Sequence, residues 1–187
     1  GMAVAELGAV YRLTGRTTLA ESAFLTSAAL FRAAGDDRAL AVTLGNLGSV
    51  YMQTGRPDET EATFRKALES LQSGQNLPSR GVVLANLAIL IWETGRLEDA
   101  ERMQAEALSI HRETGNRHHA AIAIENLGVF RAESRRYSEA EKALLQALAL
   151  HRDLGNRRDE GRTLTNLASV YSDTGDPSSR IGRSGRR

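Results

Sequence analysis

A repeat of 40 residues runs through almost the whole of the chain. Its most regular marker is an Asn-Leu pair, which recurs at Asn46, Asn86, Asn126 and Asn166. A Thr-Gly pair keeps the same step and begins at Thr14, Thr54, Thr94 and Thr174. A strict period of this length indicates one supersecondary unit stacked on copies of itself. Because such a unit cannot bury its apolar face alone, neighbouring units must pack into one array.

Apolar residues recur within each unit at helical spacing. In the second copy, Leu44, Leu47, Gly48 and Tyr51 fall at i, i+3, i+4 and i+7, which places them on one face of a helix. Gly-Asp or Gly-Asn pairs end most second helices and cap the next one. The pattern predicts helices over residues 2–13, 17–34, 79–93, 97–113, 117–133, 137–153 and 157–172. The second copy adds a pair that starts near Arg38 and turns at Thr54-Gly55-Arg56. We therefore expect an all-α protein with four helix pairs plus one extra helix.

The repeats predict one elongated domain followed by a short tail. The domain covers residues 2–176, with repeats at about 2–35, 36–75, 76–115, 116–155 and a partial copy at 156–176. Residues 177–187 contain four arginines, no acidic residue and no apolar period, so we expect a disordered basic tail.

Charge and motif content narrow the function classes. Without the four tail arginines the chain has 20 basic and 23 acidic residues, so a nucleic-acid-binding array with a basic stripe is not expected. A DNA-binding role would depend on the tail alone. No glycine-rich phosphate loop, nucleophile–base motif or metal-ligand cluster is visible, so we expect no enzyme activity, cofactor or metal ion. The chain has no cysteine, no signal peptide and no apolar run of membrane-spanning length, which favours a cytoplasmic location and no membrane association.

Small and large apolar residues occupy fixed positions in each unit. A large residue stands at position 4, Leu at 7, Gly or Ala at 8 and often Tyr at 11; Ala follows at 20 and 27, with a large residue at 24. In the fourth copy the last three are Ala140, Leu144 and Ala147. This pattern resembles the tetratricopeptide repeat (TPR), in a variant six residues longer that is similar to the repeats of kinesin light chains, LGN and bacterial multidomain regulators. The resemblance implies a right-handed superhelical solenoid.

The resemblance also implies where a partner would bind. Position 6 of each first helix faces a concave groove in the family, which assigns that role to Asn46, Asn86, Asn126 and Asn166. An amide both donates and accepts, so it can pair with a peptide backbone. Apolar residues share the same stripe, namely Val82, Ile89, Trp92, Val129 and Met52. The alternatives are that the asparagines satisfy helix–helix contacts, and that Trp92 and Met52 pack against a neighbouring helix.

Other repeated groups have simpler interpretations. Chaperone-binding TPRs clamp an acidic C-terminus with a basic residue at position 2, and only Arg162 qualifies here, so that ligand is not expected. We interpret the repeated Arg16, Arg56, Arg96 and Arg136, and the repeated Glu21, Glu61, Glu101 and Glu141, as solvated helix-end charges. His111 and His151 occupy equivalent positions on second helices, which favours a structural role, whereas the adjacent His118 and His119 should diverge on their helix.

The two ends of the array predict self-association. The final helix lacks its pair, which should leave Leu164, Leu167, Val170 and Tyr171 uncovered. A homo-oligomer through such uncapped ends is one expected partner arrangement. The main hypothesis is a protein–protein interaction scaffold that binds a peptide or helical segment of another protein in its concave groove. The alternative is an oligomerisation or regulatory TPR segment of a larger bacterial regulator, without a peptide ligand.

Overall fold

The computed structural model describes residues 1–71 and 77–174, which form nine α-helices and no strand. The helices are α1 (Met2–Leu13), α2 (Thr17–Ala34), α3 (Asp37–Gln53), α4 (Pro57–Ser70), α5 (Leu77–Glu93), α6 (Leu97–Glu113), α7 (Arg117–Glu133), α8 (Tyr137–Asp153) and α9 (Arg157–Thr174). This confirms the predicted all-α repeat fold of four pairs and one further helix. The expected basic tail at residues 177–187 lies outside the described residues.

The turn residues adopt the backbone conformation that the repeat pattern predicts. Glycines with positive φ end helices in both kinds of turn: Gly15, Gly35, Gly55, Gly95, Gly115 and Gly155. The fourth copy has Arg135 in place of glycine, at φ 58°. The Asp36 side chain caps α3 by accepting a hydrogen bond from the Ala39 amide at 2.9 Å, and Pro57 occupies the first turn of α4.

Three of the four described helix pairs close where a glycine of the first helix meets a large apolar side chain of the second, and the third pair has Ala88 at this position. A Cβ atom on Gly8 or Gly48 would lie 2.9 or 2.6 Å from the ring of Phe24 or Phe64. On Gly128 it would lie 2.7 Å from Cγ of Leu144. No real Cβ sits this close, so these positions require glycine. The small residues at position 20 and at position 27 are fully buried, as the repeat pattern predicts.

Two compact units divide the chain, Gly1–Ile110 and His111–Arg187, and their boundary falls inside α6. In the first unit, α2 packs against α3 and α4 packs against α5, so each second helix also covers the first helix of the next repeat. In the second unit, α8 is covered in the same way by α9. The first helices α1, α3 and α5 are neighbours in the first unit, as are α7 and α9 in the second.

The final helix is better covered than the sequence predicted. Leu167 and Val170 are buried, together with Leu144 and Leu148 of α8. The expectation that they lack cover was wrong, because α8 of the preceding repeat packs against their face of the helix. Leu164 is 44% exposed.

Several of the repeated arginines and glutamates differ from the prediction. Two pairs are not simply solvated, because Arg56 donates to Glu21 at 2.8 Å and Arg96 donates to Glu61 at 2.5 Å. In both pairs the carboxylate lies at the start of the second helix of one repeat, and the arginine lies between the helices of the next repeat. These ion pairs therefore tie successive repeats together at the surface.

One buried position carries a polar side chain with nothing to satisfy it. Gln104 stands where other copies have Phe24, Phe64 and Leu144, and it is completely buried. Neither atom of its amide has a hydrogen-bond partner within the described residues. A buried amide without partners costs free energy, because its bonds to water in the unfolded chain are not replaced.

We predict that the glycine under Phe64 cannot accept even one methyl group. Gly48→Ala should lower the free energy of unfolding by about 1–3 kcal/mol, because the new Cβ overlaps a fully buried ring. Gly161→Ala is the matched control, since Gly161 is also helical but has no atom within 4 Å of its hypothetical Cβ. Urea unfolding followed by circular dichroism should find the control unchanged or more stable by about 0.5–1 kcal/mol. Equal stability of the two variants would contradict this account of the pair.

We predict that Gln104→Leu stabilises the fold. The change replaces an unsatisfied buried amide with an apolar side chain, so unfolding should become harder by about 1–3 kcal/mol. Gln146→Leu provides the control, because Gln146 is exposed on α8 and the same change there should alter stability by less than about 0.5 kcal/mol. Thermal denaturation measures both, and a destabilised Gln104→Leu protein would refute the prediction.

Candidate functional site

Two of the predicted groove asparagines present unpaired amides. Asn46 on α3 and Asn86 on α5 occupy equivalent positions on neighbouring first helices of the first unit. Both side chains are partly exposed. Neither amide forms a hydrogen bond with any described part of the chain. Their donors and acceptors are therefore available to another molecule.

The apolar residues predicted around them are also partly exposed. Met52 shares α3 with Asn46, while Val82, Ile89 and Trp92 share α5 with Asn86. None belongs to the buried core of the first unit. Partly exposed apolar groups beside amides with unused bonding capacity are the composition expected of a peptide-binding surface. This part of the predicted set lies on two neighbouring helices, α3 and α5.

The other two asparagines have different surroundings in the second unit. Asn166 donates from Nδ2 to Oε1 of Glu125 at 2.9 Å, so it is held by a neighbouring first helix. Asn126 has a buried Nδ2 with no hydrogen-bond partner among the described residues. Asn166 and Val129 nevertheless line one cleft of about 230 Å³ between α7 and α9, together with Ala132 and Ser169.

Glu125 is a central residue that the sequence pattern did not predict. Its side chain is 1% exposed and accepts hydrogen bonds from Arg162 at 2.9 and 2.6 Å in addition to the one from Asn166. Its other neighbour is His151, whose Nε2 lies 3.4 Å from a carboxylate oxygen. The signal in the sequence was a break in the repeat, since the equivalent residues are Gly45 and Ala85. A carboxylate in place of these small residues needs buried donors nearby.

Arg162 is already bound to Glu125, so it does not present a free guanidinium for clamping an acidic C-terminus. It forms a bidentate pair with Glu125 and approaches Asp159 at 3.0 Å. The hydrogen bond to Glu125 raises the pKa of the guanidinium above its ordinary value. The basic residue at position 2 is therefore neutralised within the fold, and an acidic ligand would have to compete with two carboxylates for it.

A second pocket contains a buried imidazole. His111 is buried and lines a pocket of about 250 Å³ with Ala120, Ile124 and Leu150. Its ring centroid is 5.2 Å from that of His119, which in turn meets His118 edge-on at 5.4 Å, so the adjacent histidines do not diverge. Burial, and then the charge of His119, lower the pKa of His111 to about 4. The pocket therefore favours a neutral imidazole.

Two further properties of the described residues concern metal ions and membranes. Within residues 1–71 and 77–174 there is no group of three His, Cys, Asp or Glu side chains arranged to hold a metal ion. Within the same residues no helix is both long enough and apolar enough to cross a membrane.

We predict that His111 makes stability depend on pH between about 6.5 and 4. The pKa is about 4 in the fold and about 6.5 in the unfolded chain. As the pH falls through this window, the unfolded chain takes up a proton that the fold does not, so stability decreases. His111→Leu, which copies the equivalent Leu71, should show a shallower loss of stability over the same window. His118→Leu at an exposed site is the control, and a parent-like slope in His111→Leu would contradict the prediction.

A family profile described as Tetratricopeptide repeat matches residues 1–73, 79–153 and 119–179. No curated protein matches the sequence. Solved structures do match. BtubC (BKLC) from P. vanneervenii is 24% identical with a TM-score of 0.82, over 95% of this chain and 74% of that one.

Two further solved structures share the fold over 95% of this chain. The putative kinesin light chain TPR-like repeats of Podosopora anserina are 16% identical, with a TM-score of 0.75 and 88% of that chain covered. A Rap protein complexed with Competence and Sporulation Factor is 17% identical, with a TM-score of 0.80 and 50% of that chain covered. At these identities the likeness shows the fold alone. The profile, however, matches nearly the whole length of the sequence, and the chain therefore belongs to the tetratricopeptide repeat family.

Proposed function

We propose that this protein is an interaction scaffold that binds a segment of another protein, extended or helical, on the faces of its first helices. The observation that carries the proposal is the pair of unbonded, partly exposed amides of Asn46 and Asn86 on neighbouring helices. Among the described residues, Asn166 alone of the four repeated asparagines forms a side-chain hydrogen bond, so this position is well suited to an external partner.

The proposed binding surface contains two kinds of group, amides and apolar side chains, with different roles. The amides can pair with backbone N–H and C=O groups, which every peptide has, so they would hold a ligand without reading its side chains. Val82, Ile89 and Trp92 would select the side chains, with Trp92 offering the largest apolar area. In the second unit, the cleft that Val129 and Asn166 line between α7 and α9 offers room for one side chain.

The similar structures support a binding function at the level of the fold. The Rap protein structure is of a complex with Competence and Sporulation Factor, so a protein of this architecture holds a ligand. The ion pairs within the second unit favour a ligand that is not acidic at its C-terminus, because Glu125 and Asp159 already occupy Arg162.

We predict that Asn46→Ala combined with Asn86→Ala weakens binding while leaving the fold intact. Peptide ligands selected from a displayed random library provide the probe, and isothermal titration calorimetry measures the dissociation constant. Each lost hydrogen bond costs about 0.5–1.5 kcal/mol, so the double variant should bind roughly tenfold or more weakly. Its thermal unfolding midpoint should match the parent, because neither amide bonds within the fold.

Two control variants distinguish loss of this binding surface from a general loss of folding. Gln146→Ala removes an exposed amide on the second helix α8 and should leave affinity unchanged. Asn166→Ala breaks a contact with buried Glu125 and should lower the unfolding midpoint instead. Full affinity in the double variant would refute the proposal. Failure to select any peptide, combined with concentration-dependent self-association, would favour the oligomerisation or regulatory alternative.

A further inference from the structure

The first helix exposes a stripe of side chains that every later first helix buries. Leu7 and Val10 of α1 are 46% and 54% exposed. Their equivalents are Leu47 and Val50, Leu87 and Leu90, Leu127 and Phe130, and Leu167 and Val170, none more than 5% exposed. The motif itself recurs along the chain, because Leu-Gly-Ala-Val-Tyr in α1 matches Leu-Gly-Ser-Val-Tyr in α3 and Leu-Ala-Ser-Val-Tyr in α9.

In α3 and α9 the stripe is covered by the second helix of the preceding repeat. Helix α2 packs on α3, and helix α8 packs on α9, where Leu148 joins Leu167 and Val170 in one apolar cluster. The stripe of α1 has the same side chains in the same order. It therefore presents half of an interface that the chain itself builds elsewhere.

A carboxylate on the covering helix completes this interface. In α9 the Tyr171 hydroxyl donates to Glu141 of α8 at 2.8 Å. Tyr51 is the equivalent tyrosine in α3. The guanidinium of Arg56, in the turn after α3, lies 4.2 Å from the ring centroid of Tyr51 and donates to Glu21 of α2. Burial, and then the charge of Glu21, raise the pKa of Tyr51, which places that carboxylate beside the tyrosine as well. The tyrosine of the motif and the arginine five residues later are thus the carboxylate-binding groups.

The same two groups on the first repeat have no carboxylate. Tyr11 and Arg16 are the equivalents of Tyr51 and Arg56. Within the described residues, the Tyr11 hydroxyl forms no hydrogen bond and the Arg16 guanidinium forms no ion pair. Arg16 is also exposed. An unpaired cation and a phenol thus border an uncovered Leu-Val stripe.

We propose that Leu7, Val10, Tyr11 and Arg16 form a docking surface for an amphipathic helix of another protein that carries a glutamate. This N-terminal surface is separate from the face that carries Asn46 and Asn86. The repeated interface specifies the ligand. On α4 and α8 the pairing glutamate stands seven residues before a leucine of the covering face: Glu61 before Leu68, and Glu141 before Leu148. The docking helix has this glutamate in its first turns and an apolar residue two turns later.

Helix α8 provides a probe of known interface chemistry. A synthetic peptide with the sequence of Tyr137–Asp153 contains Glu141 and Leu148, which meet the Leu-Val-Tyr motif of α9. A hydrocarbon staple in place of the Lys142 and Gln146 side chains, both exposed on α8, would hold it helical, since a free helix of this length is marginal in water. Fluorescence anisotropy of the labelled peptide measures its binding to the full chain.

The expected result is saturable binding that depends on α1. Leu7→Lys combined with Val10→Lys should weaken it by at least about tenfold, because two apolar contacts are replaced by charges. Arg16→Glu should weaken it several-fold, and a peptide with Glu141→Lys should restore affinity for that variant. Leu164→Lys is the matched control, because it changes a similarly exposed leucine on α9 and should leave binding unchanged.

Several outcomes would overturn the proposal. Absence of binding up to about 1 mM stapled peptide would do so, as would loss of binding in Leu164→Lys rather than in the α1 variant. Sedimentation equilibrium provides a further test, because a dimer that dissociates in the Leu7→Lys, Val10→Lys protein would assign this surface to a second copy. Circular dichroism of each variant should match the parent, since every substituted side chain is exposed.

Discussion

The contact between a glycine and a large side chain inside three of the four helix pairs is the constraint on which the rest of this structure depends. Phe24, Phe64 and Leu144 each press on a backbone that has no Cβ at Gly8, Gly48 and Gly128. This close approach fixes the distance and the rotation of the two helices. The rotation in turn decides which stripe of the first helix remains for the neighbouring repeat and which faces solvent. Gln104 occupies the same place in the third copy without a polar partner among the described residues, and an ion pair at the surface joins Arg80 of α5 to Glu106 of α6 at 2.8 Å.

Contacts between repeats combine an apolar stripe with a charged border. Leu-Val stripes are buried by the helix of the preceding repeat, and Glu21 and Glu61 reach forward to Arg56 and Arg96. These ion pairs are partly exposed, so each contributes little stability by itself, but a pairing that recurs at one position favours the correct alignment of repeats. The first repeat has the apolar stripe, the tyrosine and the arginine of this arrangement. No helix among the described residues covers them with a glutamate, which is why this surface resembles an interface.

One repeat position serves different physical roles along the chain. Asn46 and Asn86 keep their amides unbonded, whereas Asn166 is held by Glu125. The difference arises from a single change on α7, where a buried carboxylate replaces the small Gly45 and Ala85 of other copies. Buried charge requires paired donors, so Glu125 accepts hydrogen bonds from both Asn166 and Arg162, and these groups are then bound within the fold. In the second unit, part of the candidate binding surface is therefore engaged in the hydrogen bonds of Asn166 and Arg162 to Glu125.

The period of the sequence determined the helix count, the helix ends and the family, because helical spacing, capping residues and turn glycines are local and recur in register. The bounds it predicted agree with the structure to within about two residues, and α5 and α9 differ most, beginning at Leu77 and ending at Thr174. It also predicted a stripe of Asn46, Asn86 and apolar neighbours, and these side chains are partly exposed. Contacts between distant residues were decided only by the tertiary structure. The sequence could not reveal that Glu125 binds Asn166, or that Leu167 and Val170 are covered by the preceding repeat. Nor could it reveal that Arg56 pairs with Glu21 while Arg16 forms no ion pair within residues 1–71 and 77–174. Such partners are set by how helices pack across a repeat boundary, and that geometry depends on side-chain volumes at both surfaces rather than on spacing along one helix.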